Sequence, residues 1–117
     1  DAVPAGRDEA ILDRVQLGHL RDRLDVEDDW SRILSLGEQQ RLAFGRLLIA
    51  RPQAAFLDEA TSAMDEGLED AMYRLLREQL PDARIISVGH RGTLRRHHGC
   101  ELSLQGESGG WTLSPIE

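Results

Sequence analysis

A wholly apolar run at residues 54–57 that ends in two carboxylates, Asp58 and Glu59, constrains this chain more than any other feature. Consecutive apolar residues without alternation read as a strand covered on both faces, with the acidic pair at its C-terminal end. After a loop at 60–65, residues 66–80 place Leu68, Met72, Leu75, Leu76 and Leu80 on one helical stripe that stops before Pro81. Residues 84–88 then read as a second buried strand. Strand, loop, helix and strand within about 35 residues make a right-handed βαβ unit. Asp58, Glu59 and His90 are therefore expected at one sheet edge, where α/β folds bind their ligands.

Upstream, Ser35 and Glu38 have the S-x-x-E spacing of a capping box, in which the hydroxyl and the carboxylate satisfy the first free backbone N–H groups. A helix is expected to start there and run to about Ala50, since Pro52 cannot continue it and restrains Arg51. Ile11, Leu12, Val15 and Leu20 mark a helical piece over 8–20, interrupted at Gly18 and followed by a short turn at 21–24. Residues 25–29 read as a solvated acidic connector. Two alternating runs, 101–105 and 111–114, flank Gly106-Glu107-Ser108-Gly109-Gly110 and predict a hairpin. Trp30 and Trp111 are expected to pack, the first near a subdomain seam. His97, His98 and Cys100 read as a solvated turn, because no second ligand pair at zinc spacing accompanies them. Arg95 and Arg96 read as a solvated helix face.

Charge narrows the partners. The chain has 21 acidic against 14 basic residues, a net charge of -7, which argues against a general grip on nucleic acid or an anionic membrane face. Every basic residue among the 14 is arginine. Without lysine the chain supplies neither a Schiff-base amine nor the lysine of a phosphate-binding G-x-x-x-x-G-K-[ST] loop. The single cysteine suits a reducing compartment. No apolar run approaches the ~18 residues of a membrane-spanning helix. The chain opens at Asp1 with no methionine and no signal-like stretch, so it is expected to be a segment of something longer.

Three motifs, taken together, carry a family resemblance. Leu34-Ser35-Leu36-Gly37-Glu38-Gln39-Gln40-Arg41, then Phe56-Leu57-Asp58-Glu59-Ala60-Thr61-Ser62-Ala63-Met64-Asp65, then Ser87-Val88-Gly89-His90-Arg91 resemble, in order and spacing, the second half of an ATP-binding cassette (ABC) ATPase. The resemblance implies an α/β fold: the C-terminal portion of a P-loop-type ABC ATPase domain lacking its P-loop half. Residues 1–52 would be part of the helical subdomain with the signature helix. Residues 53–117 would hold the Walker B strand, D-loop, switch histidine and terminal hairpin.

By the same resemblance, Ser35, Gly37 and Glu38 form the signature that closes over the γ-phosphate of ATP held by a second cassette, with Leu36 where glycine is commoner. A helix N-terminus suits that task through its free amides and dipole. Asp58 would hold Mg²⁺ through water, and Glu59 would be the general base for the attacking water. His90 would donate to the γ-phosphate. Ser62 and Asp65 would lie in the D-loop that crosses to the opposing site. The intact protein would be an ATP-hydrolysing transporter motor on the cytoplasmic face of a bacterial inner membrane, with its transmembrane domain upstream in the same polypeptide.

The branch it looks most like is the bacterial relatives of peroxisomal fatty-acyl half-transporters, which include peptide and cobalamin carriers. A soluble ABC ATPase of DNA maintenance and a noncatalytic module on the same fold are the alternatives. The isolated chain is expected to be inactive, and to self-associate because strands that would cover its sheet are missing.

Overall fold

A computed structural model of the chain describes residues 7–23 and 30–116, with the connector at 25–29 lying outside them. The first helix, α1 (Arg7–Arg14), ends sooner than its apolar stripe suggests. Gln16 turns left-handed, with φ 62°, and a 3₁₀ turn over Gly18–Arg23 follows. The break precedes Gly18, yet Ile11, Leu12, Val15 and Leu20 are all buried, joined by Leu17. Burial here follows the apolar pattern even where the helix does not.

A single helical turn, α2 (Trp30–Ile33), leads into α3 (Leu36–Ala50). As the S-x-x-E spacing requires, Ser35 is the N-cap of α3 and both capping-box bonds form. The helix ends where Arg51, ahead of Pro52, adopts a left-handed conformation at φ 49° while its N–H still donates to the Leu47 carbonyl. The Arg51 guanidinium donates onward to the Gln79 carbonyl, pinning the end of α3 to the end of α4 (Glu66–Gln79).

Strands β1 (Ala54–Asp58) and β2 (Arg84–Val88) pair in parallel, from Ala54 opposite Arg84 to Asp58 opposite Val88. Because the two strands end in register, Glu59 and His90 leave the sheet at the same end. One face of the pair is covered: Ala55 is buried, and Leu57 joins Phe44, Leu48, Met72, Tyr73 and Leu76 in a core shared with α1 and the 3₁₀ turn. Phe44 meets Tyr73 edge-on at 6.0 Å. The other face is bare: Phe56 is 76% exposed, and Ile86 and Val88 are exposed beside it. The expectation of strands covered on both faces is thus met on one face only, the face that packs on α3 and α4.

The predicted hairpin forms from β3 (Cys100–Gln105) and β4 (Gly110–Pro115), antiparallel and separate from the first sheet. Trp111 is not a packing residue here. It is 65% exposed, and Leu102, Leu104 and Leu113 on the same face of the hairpin are exposed with it, because among the described residues no second layer covers that face. The side chain of Trp30 lies outside the described residues.

The reading of His97 and His98 as a solvated turn is also corrected. They close a 3₁₀ turn over Gly92–His97, and the His97 ring stacks on Tyr73 with centroids 4.6 Å apart. His98 bonds through Nδ1 to the Leu94 carbonyl and through Nε2 to Ser87 Oγ. Tyr73 OH shares that same hydroxyl, at 2.7 Å. Burial pushes the Tyr73 phenol up and the His97 imidazole down from their ordinary values. Arg95 and Arg96 are exposed as expected, each beside a glutamate, Glu101 and Glu66.

Candidate functional site

The C-terminal ends of β1 and β2 assemble the carboxylates and the histidine. Asp58 is exposed at the last position of β1. Glu59 follows in a left-handed conformation, φ 52°, a region a side chain visits at a cost of roughly 1–3 kcal/mol and that clusters at functional sites. Its N–H donates to the Val88 carbonyl at 2.8 Å, so β2 holds it in that turn. The Glu59 carboxylate lies 3.3 Å from His90 Nε2. The histidine is 94% exposed, leaving its ring free to meet a ligand.

The first turn of α3 is the second part. Glu38 N–H donates to Ser35 Oγ at 3.1 Å, and Ser35 N–H donates to Glu38 Oε1 at 3.0 Å. That Ser35 backbone bond holds the Glu38 carboxyl below its ordinary value, helped by His19, whose Nε2 is 3.0 Å from Glu38 Oε2. Ser35 Oγ accepts in this box but keeps its own proton to donate. The N–H groups of Leu36 and Gly37, in the first turn, have no intrahelical acceptor. These donors and the helix dipole suit a phosphate, and the exposed Asp58 carboxylate suits a hydrated Mg²⁺. The residues present therefore fit their part of a Mg-ATP site.

The loop between β1 and α4 joins the two parts. A Cβ on Gly37 would lie 3.2 Å from the Ala63 carbonyl, so the loop passes against α3 at a distance only glycine leaves comfortable. Gln40 donates to the Glu59 carbonyl and to Ser62 Oγ, and accepts from Ala63 N–H. Asp65 caps α4, accepting from Leu68 N–H at 2.7 Å. Ser62 and Asp65, read as groups that reach across to another site, thus both have partners within this chain.

Behind the loop sits a fully buried carboxylate, Glu69. It accepts from Thr61 Oγ1 and Thr93 Oγ1, each at 2.6 Å, and lies 3.3 Å from Arg91 Nη1. The same guanidinium nitrogen donates to the carbonyls of Thr61 at 2.9 Å and Met64 at 2.7 Å. Arg91 directly follows His90, so this network ties the histidine's backbone to the loop after Glu59. Gln40, Thr61, Glu69, Arg91 and Thr93 are not among the site residues expected from the sequence. A signal existed for two. Glu69 shares a helix face with Met72 and Leu76, and Gln40 lies one and two turns before the buried Phe44 and Leu48. A polar side chain in phase with a core stripe needs a partner.

Comparison with known proteins follows the same motifs. A family model described as ABC transporter matches residues 4–62, just over half of the chain. An uncharacterised ABC transporter ATP-binding protein of Haemophilus influenzae is 61% identical over 103 residues, covering 88% of this chain and 17% of that protein. The chloroplastic ABC transporter D family member 2 of Arabidopsis thaliana is 52% identical over 98 residues, 80% of this chain and 13% of its own length. The inner membrane ABC transporter ATP-binding protein YddA of Escherichia coli is 44% identical over 81 residues, 69% of this chain and 14% of its own. The chain therefore spans between 13% and 17% of the length of these curated relatives.

Proposed function

The chain belongs to the ABC transporter family, and from that premise we propose that it contributes to two ATP sites in a pair of cassettes, the hydrolytic residues of one and the phosphate-closing turn of the other. The observation that carries the reading is the Glu59–His90 pair at the shared end of two parallel strands. Glu59 is the general base: its carboxylate accepts the proton of the attacking water. His90, exposed beside it, orients that water and donates to the phosphoryl oxygens.

Asp58, at the strand end, is the residue that would hold Mg²⁺. Mg-ATP, when bound, supplies the transferable phosphoryl group and the metal's charge. Ser35 Oγ–H and the amides of Leu36 and Gly37 close over a γ-phosphate presented by the second cassette, whose Ser62 and Asp65 lie at the same junction. Glu38 keeps that turn in shape through its bond to Ser35 N–H.

The transported substrate crosses a transmembrane domain carried elsewhere in the polypeptide. Among the described residues no helix is long and apolar enough to span a membrane. A position at a bacterial inner membrane is supported by the likeness to YddA, whose name places it there.

The test is Glu59→Gln in the full polypeptide. Hydrolysis is expected to fall by about 10²–10⁴-fold, the usual worth of a positioned base. ATP affinity, read by calorimetry, is expected to stay within about threefold, because little phosphate-binding surface is lost. Hydrolysis at the wild-type rate would remove Glu59 from this role.

A further inference from the structure

Gln40 belongs to α3, but its side chain works outside the helix. Nε2 donates to the Glu59 carbonyl at 3.1 Å and to Ser62 Oγ at 2.9 Å, while Oε1 accepts from Ala63 N–H at 3.0 Å. Two of these partners are backbone groups of fixed polarity, a carbonyl that only accepts and an N–H that only donates. They set the orientation of the carboxamide, because a flipped amide would face both with the wrong atom.

The peptide groups on both sides of Glu59 are consequently held, its N–H by the Val88 carbonyl and its carbonyl by Gln40. Between these anchors Glu59 keeps a φ of 52°, a conformation that persists only where its surroundings over-determine it. Freed at one anchor, the residue is expected to relax toward ordinary φ values, which would turn its carboxylate away from His90.

We propose that Gln40 is a positioning residue for ATP hydrolysis, holding the main chain of Glu59 in the turn that faces its carboxylate to His90. The same side chain stands on the helix whose first turn carries Ser35 and Gly37. A phosphate seated on that turn is therefore mechanically connected, through one carboxamide, to the base that serves the other site. The inference rests on the reading of Glu59 as the base.

The experiment compares Gln40→Met, Gln40→Glu and Glu59→Gln in the full polypeptide. Methionine keeps the length of the side chain without a donor. Glutamate keeps an acceptor for Ala63 N–H but sets a carboxylate against the Glu59 carbonyl. Both Gln40 variants are expected to lose about 10- to 100-fold in kcat, the scale of an ångström-sized misplacement of a reacting group. KM for ATP is expected to stay within about threefold and the melting temperature within a few degrees.

A wild-type kcat in Gln40→Met would overturn the proposal. So would a loss of kcat matched by an equal rise in KM, or failure of both variants to fold, since each assigns Gln40 a merely structural part. Glu59→Gln separates the two claims. If it is inactive while the Gln40 variants are normal, only this inference falls; if it hydrolyses ATP normally, the functional reading falls first.

Discussion

The first turn of α3 and the loop from Glu59 to Asp65 face the same junction but are held in opposite ways. The turn is organised by Ser35 and Glu38, three residues apart, which cap each other. The loop is organised from a distance: Gln40, Glu69, Arg91 and Thr93 come from α3, α4 and the segment after β2. A locally capped turn forms with its helix, whereas a remotely held loop exists only once the core has brought three elements together. On the proposed function, the first suits a fixed phosphate cradle and the second a catalytic group whose placement must report on its surroundings.

The largest expected break in this contrast is Arg91→Ala. It removes the donor to the Thr61 and Met64 carbonyls and leaves the Glu69 carboxylate buried with only hydroxyl partners. Orphaning a wholly buried charge costs about 3–5 kcal/mol. Arg91 is itself partly exposed, so about 2–3 kcal/mol is expected in urea unfolding of the full polypeptide. Amide protection should fall in the loop while the first turn of α3 keeps its own. Unchanged protection in the loop would show that it is held locally after all.

Ser35→Ala is the converse and smaller break. Loss of the N-cap is expected to cost about 1 kcal/mol, with fraying confined to the first turn of α3. Thermal unfolding with hydrogen exchange checks this, and a loosened Glu59 loop at undiminished α3 protection would contradict the division drawn here.

The smallest effect is one of pH, and it sharpens the comparison. His97 is held neutral by burial against Tyr73, with Asp70 4.0 Å away and Glu69 pulling the other way, and Arg96 and His98 adding to the burial. Its folded-state value lies below the ordinary 6.5. The unfolded chain therefore binds the proton more readily, and the His97 contribution to stability, complete above about pH 6.5, is lost as pH falls through the lowered value. Glu38 is also lowered, from 4.5, so its contribution is complete above that value and is lost only at greater acidity. Between pH 7 and 5, protection corrected for intrinsic exchange is expected to fall at residues 92–98 before it changes at residues 36–41. The reverse order would mean that the His97 stack adds nothing to the tertiary hold.

Sequence alone determined whatever depends on neighbours along the chain. The capping box at Ser35 and Glu38, the stop before Pro52, the apolar stripe of α4 and the turn-rich hairpin all follow from spacings of a few residues, and all appear in the structure. So does the meeting of Glu59 with His90, because two short parallel strands in register must end together.

Tertiary structure decided the rest. Which polar groups on α3 and α4 turn inward, as Gln40 and Glu69 do, depends on what stands opposite them, and so does the burial of His97 against Tyr73. The apolar pattern of β1 likewise demanded two covers, but only packing could show that the helices of this chain supply one and leave Phe56, Ile86 and Val88 bare. A local rule states what a residue needs; a contact between distant segments decides whether, and by what, that need is met.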